Sequence, residues 1–210
     1  MAKPAPPDGL PTPARYWAML AIAIGITMSV LDSAVVNIAL PTIARQFHTT
    51  PSAAIWVVTS YQIAIVTLLL PLAALGERIG YARVYRGGLV VFTLASLCCA
   101  LAGSLPVLVG ARALQGLGAA GIMSNSGALV RYTYPDRLLG RGLGLNALVV
   151  SMAAAAGPSL ASAILAIGTW PWLFAINVPI GLFNVALAWR ALPASDRSRE
   201  PYDWFSAVLN

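Results

Sequence analysis

The sequence predicts an all-α integral membrane protein, a six-helix transmembrane bundle. Hydrophobic residues make up 59% of the chain and charged residues only 10%, whereas soluble domains carry roughly 25% charged residues. Six apolar segments are each long enough to cross the hydrocarbon core, which needs about 20 helical residues. The net charge of +6 would suggest nucleic acid in a soluble chain, but here the basic residues lie between apolar spans. We therefore expect no nucleic-acid partner.

Proline, glycine or charged residues separate the apolar segments. The predicted spans are residues 16–40, 53–75, 84–103, 107–131, 143–167 and 171–191. Because the connections are short, consecutive helices should run antiparallel in one bundle. Residues 1–15 are rich in proline and are predicted to be a disordered cytoplasmic tail. Residues 192–202 are predicted to be a cytoplasmic linker, and residues 203–210 the start of a further, incomplete helix.

The distribution of basic residues predicts the orientation of the bundle. All but two of the 13 Lys and Arg residues fall on one side of the predicted spans. The two exceptions are Arg45, on the opposite side, and Arg112, inside the fourth span. The excess of positive charge marks the cytoplasmic side of a membrane protein. Both ends of the six-helix bundle are therefore predicted to be cytoplasmic.

Two charged residues interrupt the spans. A charged side chain at the bilayer centre costs about 2.5–3.5 kcal/mol on insertion scales, so it usually has a partner and a function. At 1.5 Å per residue, Arg112 lies about 9 Å and Asp32 about 8–13 Å from the outer ends of their helices. Opposite charges at the same depth are expected to pair and to serve proton coupling and cation recognition. The alternative is a static ion pair that fixes the first helix against the fourth.

Other polar or amphipathic side chains in the spans could line a cavity. The candidates are Asn37, Trp56, Tyr61, Gln62, Gln115, Asn125, Asn146 and Asn177. Trp56 would serve equally well as an interfacial anchor. The spans show no paired carboxylates, metal-ligand cluster or nucleophile-base arrangement. We therefore expect neither an enzyme nor a cofactor.

Small residues recur every fourth position in the fifth span, at Ala153, Gly157 and Ala161. Such a stripe lets two helix backbones approach closely in lipid. Pro158 lacks a backbone N–H and its ring clashes with the preceding turn, so a bend is predicted there. The bend can be a hinge or simply part of the helix shape.

Several stretches together resemble the major facilitator superfamily, and specifically its drug/proton antiporters with fourteen membrane helices. Residues 31–41 are similar to that subfamily's helix-one signature, and residues 108–120 to its helix-four motif with arginine, glutamine and glycines. Gly157 and Pro158 resemble the helix-five antiporter motif, and residues 173–181 the helix-six pattern. The loop motif departs from the family pattern. Ala73, Glu77, Tyr81 and Ala82 stand where the family prefers glycine, aspartate and two basic residues, whereas Arg78, Gly80 and a displaced Arg83 remain.

The resemblance implies the N-terminal half of a proton-coupled multidrug exporter in a bacterial inner membrane. It also implies two inverted three-helix repeats, with Asp32 and Arg112 at the central cavity. The loop residues Glu77, Arg78, Gly80 and Arg83 would take part in gating, or are only solvated charges around a tight turn. The implied partners are protons, a small lipophilic or cationic substrate, the lipid bilayer and a C-terminal half absent from these residues. The alternative is a truncated or remnant membrane protein that binds a ligand or partner without transporting it.

Overall fold

Six long helices make up most of the computed structural model, which describes residues 8–192. Each is long and apolar enough to cross a membrane: α1 Ala14–Gln46, α2 Pro51–Ile79, α3 Tyr81–Ala100, α4 Leu105–Thr133, α5 Asp136–Ile167 and α6 Pro171–Ala191. Single non-helical residues, Ile55 and Ile176, interrupt α2 and α6. The first turn of α5, Asp136–Leu138, is a 3-10 helix. The described part of the chain contains no strand, so the predicted all-α membrane fold is confirmed.

The helices form two related sets of three, α1 to α3 and α4 to α6. α4 packs on α2 and α3, and α1 packs on α5 and α6. Additional contacts join α1 to α4 and α3 to α6. The first helix of each set thus packs on the last two helices of the other set. Two inverted three-helix repeats produce this reciprocal arrangement.

Glycines permit the closest helix crossings. A Cβ atom added to Gly118 of α4 would lie 2.5 Å from the backbone nitrogen of Phe92 and 2.8 Å from the Gly88 carbonyl oxygen, both in α3. A Cβ atom at Gly116 would lie 2.6 Å from the Tyr61 carbonyl oxygen in α2. These neighbours are backbone atoms and cannot rotate away. α4 therefore fits between α2 and α3 only because both positions lack a side chain.

The helices extend beyond the predicted spans at several ends. α1 continues through Pro41 to Gln46, beyond the predicted end at residue 40. A transmembrane helix tolerates proline because neighbouring helices and side chains support the interrupted backbone. α5 begins at Asp136 rather than at residue 143, because a helix can continue past the apolar segment into polar residues. The predicted ends followed composition, which marks the membrane-embedded part of a helix and not its full length.

The N-terminal segment before α1 packs against the connection between α4 and α5. The backbone N–H of Leu10 donates to the Thr133 carbonyl oxygen at 3.0 Å. The Asp136 N–H donates to Oδ1 of Asp8 at 2.8 Å, and Nη2 of Arg15 donates to the Leu10 carbonyl oxygen at 2.9 Å. The predicted disordered tail is therefore wrong for residues 8–15. Residues 1–7, the predicted linker from residue 193 and the predicted helix start at 203–210 lie outside the described residues.

Candidate functional site

Asp32 and Arg112 form an ion pair in the middle of the bundle. Asp32 of α1 is 4% exposed and Arg112 of α4 is fully buried. Nη1 of Arg112 donates to Oδ2 of Asp32. Two charges this deep in an apolar bundle are tolerated when they neutralise each other and their remaining polar atoms are hydrogen-bonded. The pairing expected from their matched depths is present.

Gln115 links both members of the ion pair. It follows Arg112 by about one helical turn, so the two side chains share a face of α4. Its Oε1 accepts from Nη1 of Arg112 at 2.7 Å, and its Nε2 donates to Oδ1 of Asp32 at 2.8 Å. The same Nε2 donates to Oγ of Ser96 in α3 at 2.8 Å. Gln115 therefore fixes the acid and the base relative to each other and to a third helix.

The Arg112 guanidinium makes three further contacts. Its Nε donates to the Val57 carbonyl oxygen at 3.0 Å. The Tyr61 ring lies 4.0 Å from its Cζ, within cation–π distance, and the Phe174 ring lies 5.6 Å away. Its Nη2 is buried and has no hydrogen-bond partner among the described residues. Arg112 is thus held from α1, α2 and α6 but keeps one donor unused.

Asn177 brings the sixth helix into the site. It directly follows the non-helical residue Ile176, and its Nδ2 donates to Oδ1 of Asp32 at 3.0 Å. A cavity of about 480 Å³ between α1, α5 and α6 reaches Asp32 and Asn177. Its remaining lining is apolar except for Thr27. Asp32 is therefore buried on the side that faces α4 and borders this cavity on the side that faces α5 and α6.

Only some of the predicted cavity residues belong to this cluster. Tyr61 and Gln115 join it, and both are fully buried. Asn125 is also fully buried, but its amide donates to backbone carbonyl oxygens of α2 and α4 at 3.3 and 3.0 Å. These three side chains lie between packed helices of the described bundle, and Oδ1 of Asn125 is buried there without a hydrogen-bond partner among the described residues. A cavity-lining role for them stays a prediction.

The other cavity candidates lie away from the ion pair. Asn37, Trp56 and Gln62 are exposed on the described surface, whereas Asn146 is half-buried. The Asn37 amide donates to the Ser33 carbonyl oxygen one turn earlier at 3.0 Å. Sequence position alone did not fix the direction in which these side chains point, because small rotations of a helix move a polar group from one face to another.

The α2–α3 turn has the expected tight geometry. Gly80 separates the two helices with φ of +106°, a value that side-chain-bearing residues rarely adopt. Glu77, Arg78 and Arg83 are exposed around it. Nη1 of Arg83 donates to the Ile79 carbonyl oxygen at 3.0 Å, which caps the end of α2. A gating role for these residues stays a prediction.

The small-residue stripe of α5 faces α1. Ala153, Gly157 and Ala161 are buried, and a Cβ atom at Gly157 would lie 2.5 Å from Cβ of Ala34. Pro158 points outward and is exposed, and α5 is helical on both sides of it. The stripe therefore provides close packing, while the hinge stays a prediction.

Ser96 is not among the residues predicted for the site, and Asn177 is predicted only as one of several polar groups that could line a cavity. Both are neutral, and a single serine or asparagine in an apolar span is common enough to carry little information. Asn177 lies within the helix-six pattern, which is the one signal that could have selected it. The described residues contain no cluster of three or more His, Cys, Asp or Glu side chains that could hold a metal ion. The chemistry of the cluster is that of a buried carboxylate whose charge is balanced by one guanidinium and which also accepts hydrogen bonds from two neutral amides.

Several known transporters are similar to this chain in sequence. It is 54% identical over 205 residues to the uncharacterized transporter YebQ of Escherichia coli (strain K12), which covers 97% of the chain and 45% of YebQ. It is 34% identical over 179 residues to the riboflavin transporter RibZ of Clostridioides difficile (strain 630), covering 85% of the chain and 39% of RibZ. It is 37% identical over 177 residues to a methylenomycin A resistance protein of Streptomyces coelicolor, covering 84% and 37%. The chain thus spans less than half the length of these curated relatives.

Comparison with solved structures and with family models agrees with this similarity. The proton:xylose symporter XylE superposes with a TM-score of 0.75 over 86% of this chain and 45% of XylE, at 18% identity. At that identity the match shows a shared fold. The model of the Major Facilitator Superfamily matches residues 22–203, most of the chain. This multi-pass membrane protein therefore belongs to the Major Facilitator Superfamily of transporters.

Proposed function

We propose that this chain is the N-terminal half of a proton-coupled exporter of small lipophilic, often cationic molecules. The observation that carries the proposal is the buried Asp32–Arg112 pair, with Asp32 bordering a cavity. A carboxylate can bind either a proton or a cation, and both compete for the same oxygens. The methylenomycin A resistance relative supports export of antibiotic-like compounds.

Protonation of Asp32 would change what holds Arg112. The neutral acid attracts the guanidinium less strongly, while Gln115 and the Val57 carbonyl oxygen still bind it. A proton can shift the balance between two conformations only by binding one of them more tightly. The ion pair supplies such a difference, because a conformation that separates Asp32 from Arg112 is favoured once Asp32 is neutral.

The unused donor of Arg112 supports a second arrangement of the site. A buried donor without a partner costs about 1–3 kcal/mol, and Nη2 is in that position within the described bundle. A conformation in which Nη2 gains a partner would recover this cost. Arg112 is thus suited to changing partners during a transport cycle.

The finer assignments follow the same proposal. The bundle lies in a bacterial inner membrane with both ends cytoplasmic. Glu77 and Arg78 contact the second half of the transporter in one gating state, and α5 flexes near Pro158. A C-terminal half supplies the second wall of a central cavity that lies between the two halves of the transporter.

The direct test is transport by the complete gene product in proteoliposomes with an imposed pH gradient. With ethidium as the lipophilic cation, we expect Asp32→Asn to reduce gradient-driven flux to the level of empty vesicles. The Asp136→Asn variant is a matched control, because that acid is exposed at the start of α5 and should transport normally. Unchanged proton-driven flux in Asp32→Asn would remove Asp32 from the coupling mechanism.

The same vesicles separate transport from simple binding. The alternative, a membrane protein that binds without transporting, predicts saturable ethidium binding without flux in either direction for the complete product. Flux that responds to the pH gradient contradicts that alternative. Comparing residues 1–210 with the complete product then shows which part of the protein is needed for flux.

A further inference from the structure

The cavity beside Asp32 is a long groove on the side of the bundle. It runs along one face of α1 from Leu20 to Val35, which is about 22 Å at 1.5 Å per residue. α5 and α6 form its two walls. Beyond the outer turn of α6 these two helices make few contacts with each other, although both pack on α1. The groove is therefore the gap between α5 and α6, with α1 as its floor.

The groove is open along its rim and apolar inside. Leu20, Leu160, Ile176 and Ile180 are each about 40% exposed and line it. Its volume of about 480 Å³ lies within the range of small-molecule sites, roughly 300–1,000 Å³. Because the spans cross the bilayer, an apolar molecule dissolved in lipid can reach this rim without crossing water.

One carboxylate oxygen is within reach of the groove. Oδ1 of Asp32 accepts from two neutral amides, Gln115 and Asn177, while Arg112 binds Oδ2. Of these three partners, only Asn177 also lines the groove. Its amide thus occupies the place at which a ligand in the groove would meet the acid.

We propose that this groove binds a lipophilic amine whose ammonium group replaces the Asn177 amide at Oδ1 of Asp32. This inference rests on the proposed function, because it places the exported cation at the coupling acid. A charged donor forms a hydrogen bond roughly twice as strong as a neutral one, so the exchange of amide for ammonium is favourable. A buried carboxylate paired with two cations also occurs in proteins, as in an Arg–Glu–Arg triad.

The apolar lining of the groove determines which non-polar part of a ligand can bind there. A single alkyl chain or a narrow aromatic group fits a groove of that length, with the charge of the ligand beside Asp32. Dodecylamine has both features, and dodecanol has the same chain without the charge. The groove should therefore bind dodecylamine at least ten times more tightly than dodecanol.

The test is equilibrium binding of radiolabelled dodecylamine to the complete protein in phosphatidylcholine nanodiscs, corrected for lipid-only discs. Ile180→Trp fills the groove and should weaken binding at least tenfold. Leu182→Trp is the matched control, because Leu182 lies on the same helix, is 60% exposed and does not line the groove. Leu160→Trp provides a second filling variant on α5, in case one tryptophan disturbs folding.

The Asn177→Ala variant should change dodecylamine affinity in a direction that distinguishes the proposal from a structural role. Removing the competing amide should tighten dodecylamine binding several-fold, whereas loss of a merely structural contact would weaken it. Equal affinities in Ile180→Trp, Leu160→Trp and Leu182→Trp would overturn the groove site, as would weaker binding in Asn177→Ala. The proposed function stands in that case if Asp32→Asn still abolishes proton-driven flux. Conversely, tight dodecylamine binding by the wild-type protein, together with normal flux in Asp32→Asn, would support the groove but contradict the coupling role.

Discussion

The Gln115 amide connects three other side chains of the buried cluster. It joins Asp32, Arg112 and Ser96, which belong to three different helices. Each bond to a charged group contributes about 1.5–3 kcal/mol. The amide suits this position because it offers a donor to the acid and an acceptor to the base at the same time.

We expect Gln115→Ala to lower the free energy of unfolding by about 2–4 kcal/mol, because the variant leaves both buried charges with fewer partners. The decrease should appear as a lower thermal midpoint in detergent, followed by circular dichroism. Gln62→Ala is the control, because Gln62 is exposed on α2 and should leave the midpoint unchanged. Equal midpoints for the two variants would show that Gln115 does not stabilise the cluster.

At the level of residues, the sequence singles out the two charges, whereas it names Gln115 and Asn177 only among several cavity candidates and does not name Ser96. Asp32 and Arg112 stand out because a charge in an apolar span is costly and rare. Ser96 and Asn177 do not, because their place in the cluster depends on how α3 and α6 rotate against α1 and α4. Helix rotation is set by packing, which one sequence without coordinates does not reveal.

Among the helices, α4 packs closely against two neighbours, α2 and α3, at once. Its glycines face α2 on one side and α3 on the other, and backbone atoms occupy the space that a side chain would need. In lipid the association of helices depends on such close packing and not on hydrophobic burial. The position of Arg112 relative to α1 therefore depends on glycines that never touch it.

Gly118→Ala should destabilise the bundle by about 1–3 kcal/mol, because the added methyl group forces α4 away from α3. The readout is again the thermal midpoint in detergent. Gly110→Ala, on the same helix, is the control, because nothing lies within 4 Å of its Cβ position. That variant should be unchanged or slightly more stable, since alanine favours helix by about 1 kcal/mol over glycine. Equal destabilisation of both variants would contradict a packing role specific to Gly118.

The six spans were predictable because a run of apolar residues has no other stable arrangement in a membrane. The helix ends were not, as Pro41 inside α1 and the early start of α5 show. The tight turn at Gly80 was predictable from the glycine itself. The open gap between α5 and α6 was not, because it results from the way both helices pack on α1.

The described bundle presents most of its basic residues at one end. Arg15, at the start of α1, lies over the Tyr134 ring after α4, with its Cζ 5.8 Å from the ring centroid. Arg86 of α3 donates to the carbonyl oxygens of Ala188 and Leu192 at the end of α6, at 3.1 and 2.7 Å. The starts of α1 and α3 and the ends of α4 and α6 thus lie on one basic surface. This is the arrangement expected of a cytoplasmic face.

The orientation can be measured by cysteine labelling in intact bacterial cells. In a background in which the exposed Cys98 is replaced by serine, we expect Ser52→Cys to react with a membrane-impermeant maleimide, because the proposed orientation puts the start of α2 on the outer side. Gly140→Cys, exposed near the start of α5 and on the proposed cytoplasmic side, should react only after the membrane is permeabilised. The reverse pattern would mean that the bundle is inserted upside down.

The family could be predicted from four motifs in the correct order, because each occupies the expected span. The docking of residues 8–10 on the α4–α5 connection could not, because it consists of backbone and carboxylate hydrogen bonds that composition does not indicate. A proline-rich stretch with few apolar residues has the composition of a disordered tail. That composition does not show whether one of its N–H groups donates to a carbonyl oxygen elsewhere in the fold.

That docking matters for the choice of expression vector. A purification tag joined directly to residue 8 would put a bulky fusion partner beside Thr133 and Asp136, where Leu10 and Asp8 are bound. A deletion that starts the chain at Ala14 would leave the Thr133 carbonyl oxygen without its amide donor. Purification yields should therefore be higher with a tag before Met1, with the natural residues kept as a spacer, than with either shortened version.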